Sequence, residues 1–141
     1  MNRLILATLM GLTAGPVLAQ TAPETLLNQA MLLGPARIED AGTQLTLFGE
    51  AGTQSYMATA SGPACTSTGT ACTTIEFQAL APPAGAEALA AWQAEAHEGT
   101  VTQGPDGWMV LTLQAQLPAD PAQTFQDWGA LAAAFHQRFG G

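Results

Sequence analysis

The chain has 141 residues and no lysine, and its three basic residues are Arg3, Arg37 and Arg138. A phosphate-binding loop needs a lysine to reach the phosphates, and Schiff-base chemistry needs a lysine amine, so both are excluded. Nucleic acid and anionic lipid are not expected as partners, because neutralising their phosphates takes clustered Lys and Arg. Histidine is nearly as scarce, with only His97 and His136. His97-Glu98 begins like a zinc-protease motif, but Val101 stands where the second imidazole must follow, four residues after the first. His136 reads as a surface or hydrogen-bonded histidine, so no metal and no cofactor is expected. A copper site through the thioethers of Met31, Met57 and Met109, which lie on three different elements, is not favoured either.

Catalytic patterns are missing too. A nucleophile elbow would need a glycine two residues before Ser67, and Cys65 occupies that place although Gly69 follows. The carboxylate pairs Glu39-Asp40 and Glu95 with Glu98 read as solvated faces and not as acid–base machinery. The chain is therefore expected not to be an enzyme.

Long apolar runs are absent except at the start. Arg3 precedes the apolar stretch Leu4–Leu12, which breaks at Thr13 and Gly15-Pro16, and Val17-Leu18-Ala19 places small residues before a cut at Gln20. That stretch is shorter than the roughly 20 apolar residues of a membrane span. Residues 1–19 are expected to be a cleaved signal peptide. Residues 20–141 would then form one domain in the periplasm or outside the cell, with no membrane anchor and no cysteine at the cut to accept lipid. That domain sets two arginines against eleven carboxylates, a formal charge of −9, and reads as an acidic, well-solvated surface.

Cys65 and Cys72 are the only cysteines, seven positions apart, and an oxidising compartment favours their pairing. Closing so short a Ser/Thr/Gly-rich loop is worth about 2 to 3 kcal/mol of unfolded-state entropy, a local staple. A redox role is not favoured, since no Cys-x-x-Cys spacing or basic neighbour is present to lower a thiol pKa.

Periodicity supplies the elements. Leu26, Leu27, Ala30, Met31 and Leu33 recur at helical spacing and stop at Gly34-Pro35, predicting a helix over 22–33. The period then becomes two: Leu45 and Leu47, then Tyr56, Ala58 and Ala60, alternate with other residues around a turn at Gly49–Gly52, and Ala36–Asp40 gives a weaker first strand. Thr73–Ala79 alternates in the same way through Ile75 and Phe77. A second helix is expected over Ala86–His97, with Leu89, Trp92 and Ala96 on its apolar stripe. Gly104-Pro105-Asp106-Gly107 turns a hairpin whose longer arm, Trp108–Leu117, has one apolar and one wet face. In the last helix Asp120 is expected as the cap, Pro121 as the first helical residue and Gln123 as a capping-box partner; Phe125, Trp128, Leu131, Ala132, Phe135 and Phe139 line one side. The order helix, strands, helix, hairpin, helix predicts an α+β domain built on an antiparallel sheet flanked by helices, which pack on one of its faces. Trp92, Trp108, Trp128, Phe125 and Phe135 are spaced as core residues.

The segment from Cys65 through Cys72-Thr73-Thr74-Ile75-Glu76-Phe77-Gln78-Ala79, the helix at Trp92, the later hairpin strand and the closing helix with Trp128 and Phe135 resemble the YbjN-domain proteins over roughly 24–139. The resemblance implies the fold of type III secretion chaperones, a domain that binds polypeptide without transforming it, and a tendency to form homodimers. The chain departs from the family pattern at Ala90, Ala91, Gln93 and Glu95, where Asn and basic residues are common, and at Thr112 and Gln114, where acidic ones are.

The expected function is an exported, non-catalytic binding module for a peptide or protein, held at an exposed sheet edge or groove. The alternative is a periplasmic small-ligand sensor or an enzyme with a dispersed site, drawing on His97, Glu98 or Glu76.

Overall fold

The computed structural model describes residues 20–69 and 71–140; the expected signal peptide, residues 1–19, lies outside them. Along the chain come α1 (Pro23–Leu33), β1 (Ala36–Ala41), β2 (Gln44–Ala51), β3 (Gln54–Ser61), β4 (Thr74–Ala81), α2 (Ala86–Ala94), β5 (Thr100–Gln103), β6 (Met109–Gln116) and α3 (Ala122–Phe139). The strands form one antiparallel sheet in the order β1-β2-β3-β4-β6-β5. This is the expected α+β architecture. The β1–β2 and β2–β3 hairpins close in two residues each, opened by Gly42 (φ 66°) and Gly52 (φ 63°). A left-handed first turn residue matches the right-handed twist of the strands, and glycine takes it without a Cβ clash.

Strict alternation decides which side of the sheet is covered, since successive side chains of a strand point to opposite faces. Leu45 and Leu47, Tyr56 and Ala58, Ile75 and Phe77, and Met109 and Leu111 are all buried. Their register places them side by side on one face, and the helices pack there. α3 contributes Phe125, Trp128, Leu131, Ala132, Phe135 and Phe139, all buried as the spacing predicts. At its centre Trp128 stacks on Phe77 with centroids 4.9 Å apart, and Phe125 meets Phe77 edge to face at 5.3 Å.

Several expectations need correction. α2 ends at Ala94, not His97, because Glu95 turns into extended backbone (φ −88°, ψ 150°) and its carboxylate binds His97 and Arg138. Its stripe is reduced to Trp92; Leu89 is half-buried and Ala96 is exposed. The β2–β3 turn lies at Gly52-Thr53, and β2 runs straight through Gly49 to Ala51. In α3 Pro121 is the cap residue and not the first helical one; Asp120 Oδ1 accepts from the Ala122 N–H at 3.0 Å. Gln123 donates to Asp127 at 2.7 Å instead of completing a capping box. Trp108 is not a core residue: it is 41% exposed, since it lies just before β6 and in phase with Val110 on the uncovered side.

Candidate functional site

All three helices pack on one face of the sheet, so the other face is bare among the described residues. Strand parity defines what this face carries. Phe48 sits directly opposite Met57, and Leu80 directly opposite Val110. These four, continued by Trp108, make a diagonal apolar track from β2 to β6, with Met57 39% and Leu80 55% exposed. Uncharged polar side chains, Thr46, Thr59, Gln78, Thr112 and Gln114, stand beside the track.

Arg37 lies 4.3 Å over the Phe48 ring and donates to Glu39 at 2.5 Å, so the one cation of the face is already engaged. Glu50 and Glu76 stand on opposite sides of the apolar track and make no ion pair among the described residues. Two open depressions indent the face. One, of about 400 Å³, is lined by Gln44, Thr59, Ser61, Thr74, Glu76 and Gln114. The other, of about 390 Å³, lies beside Phe48, Arg37, Glu50 and Ser55. The arrangement can hold an extended or helical segment by apolar contact and by side-chain hydrogen bonds, with carboxylates at its margins.

The sheet edges are less suited to pairing. β1 carries Arg37, Glu39 and Asp40, and β5 has only four residues, both devices that discourage strand addition.

The residues singled out from sequence fall in four separate places. Cys65 and Cys72 form the expected disulfide, with both residues buried and Cα atoms 4.7 Å apart. Its loop is tied to the β1–β2 end of the sheet, where the Ser67 N–H and hydroxyl both donate to the Asp40 carboxylate, at 2.5 and 2.6 Å. Those bonds, the hydroxyl one first, hold the Asp40 carboxyl below its ordinary pKa. Ser67 is thus a loop hydroxyl with a structural partner, and Asp40 is not paired with Glu39 in an acid–base arrangement.

His97 stacks on Trp92 with centroids 3.7 Å apart and shares a hydrogen bond of 2.9 Å with Glu95, which also binds Arg138. The His97 bond, ahead of the attraction of Arg138, lowers the Glu95 pKa. This cluster ties the end of α2 to α3. Glu98 points elsewhere, into an open depression with Gln114, Thr124 and Asp127. Glu76 lies on the bare face, so the three residues considered for a dispersed site are not gathered into one pocket.

His136 reaches the buried Gln54: its Nδ1 lies 3.2 Å from Gln54 Oε1. Because the Gln54 amide nitrogen already donates to the Ser55 and Leu80 carbonyls, its oxygen is the acceptor and His136 Nδ1 carries the proton. The three methionines do not converge: Met109 is fully buried on the helix-covered face, Met57 lies on the opposite face, and Met31 is exposed on α1. Among the described residues no group of three or more His, Cys, Asp or Glu is placed to hold a metal, and no helix is long and apolar enough to cross a membrane.

Sequence reasoning set Phe48 in alternation with Leu45 and Leu47 but did not single out Leu80 and Val110 as parts of the bare face. The signal was present, since each is out of phase with the buried residues of its own strand. No family model, no curated protein and no solved structure matches the chain.

Proposed function

We propose that this is an exported, non-catalytic binding module that takes a polypeptide partner on its bare sheet face. The observation that carries the reading is the apolar track of Phe48, Met57, Leu80, Val110 and Trp108 crossing a face that none of the three helices covers. Contiguous exposed apolar surface rimmed by polar residues is the usual mark of an interaction site. The disulfide supports action in an oxidising compartment, the periplasm or the outside of the cell. Kinship with the YbjN-domain proteins, and through them with the type III secretion chaperone fold, belongs to the same proposal; it is supported by the segment from Cys65 to Ala79 and by a sheet flanked by helices. Binding as a homodimer is compatible with it.

The dispersed-site alternative has less behind it, because His97 is engaged with Trp92 and Glu95 while Glu76 lies apart on the bare face, and the depressions beside them are open.

The test is a pull-down from periplasm and culture medium with a photocrosslinker placed at Met57, and with a second probe at Glu39 on the edge strand. A polypeptide crosslinked at Met57 is the expected result. Absence of any polypeptide above background at either position would sink the reading and turn attention to small-ligand screening.

A further inference from the structure

Resting on the binding reading above, we infer that the bare face selects a cationic, amphipathic polypeptide segment, one in which apolar side chains are flanked by Lys or Arg. The argument is charge complementarity around an apolar track. The chain has a formal charge of −8, and its two cations among the described residues, Arg37 and Arg138, are both paired with glutamates.

On the bare face Glu50 lies on β2 itself, two residues beyond Phe48 and opposite Ser55. Glu76 lies across the track on β4, two strands away. Asp106 sits beside Trp108, whose N–H donates to it at 3.1 Å. An apolar segment on the track therefore has an acidic group on either side and at one end, with no free cation to offer an acidic partner. With strands about 4.8 Å apart and residues rising about 3.3 Å, Glu50 and Glu76 are about 16 Å apart across the track, which leaves a segment lying on it one carboxylate on each flank. A second copy of this chain would bring the same carboxylates against each other, and an anionic membrane would meet them as like charge, so neither fits as well.

The test uses the purified protein and three synthetic peptides of equal length: a leucine core flanked by lysines, the same core flanked by glutamates, and a serine core flanked by lysines. Trp108 reports location, because Trp92 and Trp128 are buried and it alone of the three is exposed. The lysine–leucine peptide is expected to bind in calorimetry, to shift Trp108 emission to the blue, and to weaken with added salt. The glutamate–leucine and lysine–serine peptides are expected to bind roughly tenfold or more weakly.

The double variant Glu50→Gln, Glu76→Gln is expected to lose roughly tenfold in affinity and most of the salt dependence. Leu80→Ser is expected to lose affinity while keeping the salt dependence. All three positions are at the surface, so thermal melting should leave the variants folded. Equal binding of the glutamate–leucine peptide, or an unchanged affinity in the double variant, overturns the inference. So does self-association that Leu80→Ser abolishes, which would make a second copy the occupant. A natural partner crosslinked at Met57 but acidic in sequence would also overturn it while leaving the binding module standing; capture of no polypeptide at all removes both.

Discussion

The rings of Tyr56 and Trp128 meet edge to face, centroids 5.4 Å apart at 70°, and each carries a buried polar atom with no hydrogen-bond partner among the described residues. Burial pushes the Tyr56 phenol up to about 12. An unsatisfied buried hydroxyl costs about 1 to 3 kcal/mol. Replacing it by hydrogen keeps the aromatic contacts with Trp128 and Phe77, so Tyr56→Phe is expected to leave stability unchanged or raise it by up to about 1 kcal/mol. Urea denaturation reads this directly; a clear loss would mean that the hydroxyl has a partner.

Gly49 makes room for the same ring. A Cβ there would lie 2.7 Å from Tyr56 Cζ and Oη. The Tyr56 ring is buried against Trp128 of α3, so Gly49→Ala is expected to destabilise by about 1 to 3 kcal/mol, as overpacking does. A neutral result in the same denaturation experiment would show that the ring has slack.

Phe77 is the centre of the core, in contact with Tyr56, Phe125 and Trp128. Phe77→Ala is expected to cost about 3 to 5 kcal/mol, whereas the exposed Trp108→Ala should fall within about 0.5 kcal/mol of the parent. The contrast between two aromatic truncations separates core from surface in a single thermal series.

The disulfide should be a modest, protected staple. The variant Cys65→Ala, Cys72→Ala is expected to lose about 2 to 3 kcal/mol. Because both residues are buried, dithiothreitol should reduce the folded protein far more slowly than the protein unfolded in urea, as followed by thiol labelling. Equal rates would mean that the loop opens freely.

The pH dependence follows from Asp40 and Glu95, whose folded pKa values lie below their ordinary ones. A depressed carboxyl binds its proton more weakly when folded. Its contribution to stability is complete above the unfolded value of about 4 and fades as pH falls through the folded value. The melting temperature should therefore decline below about pH 4, and less steeply in Asp40→Asn. Because both carboxyls are exposed, the Glu95 part should shrink in high salt. An identical acid limb in the Asp40 variant would show that Ser67 does not hold that carboxylate in solution.

Much of this protein could be read along the chain. The α3 stripe from Phe125 to Phe139 is buried residue for residue as its spacing requires, and Leu45, Leu47, Ile75 and Phe77 fall on the covered face that their alternation implies. These are properties of a few neighbouring residues, and backbone geometry converts them into faces with no help from distant parts of the chain. The pairing of Cys65 with Cys72 is equally local.

Where the reading went astray, the deciding partner was far away. Glu95 ends α2 early by engaging Arg138, 43 positions on. Trp108 looked like core because size and hydrophobicity say nothing of which face of a sheet will be covered.

Composition, strand parity and the disulfide are thus the sequence's own, because each depends on residue type and short spacing. Only the tertiary structure decided the order in which the strands pair and the register between them. That choice depends on how the connections cross and pack, and it turns Phe48, Met57, Leu80, Val110 and Trp108 from separate out-of-phase residues into one continuous surface.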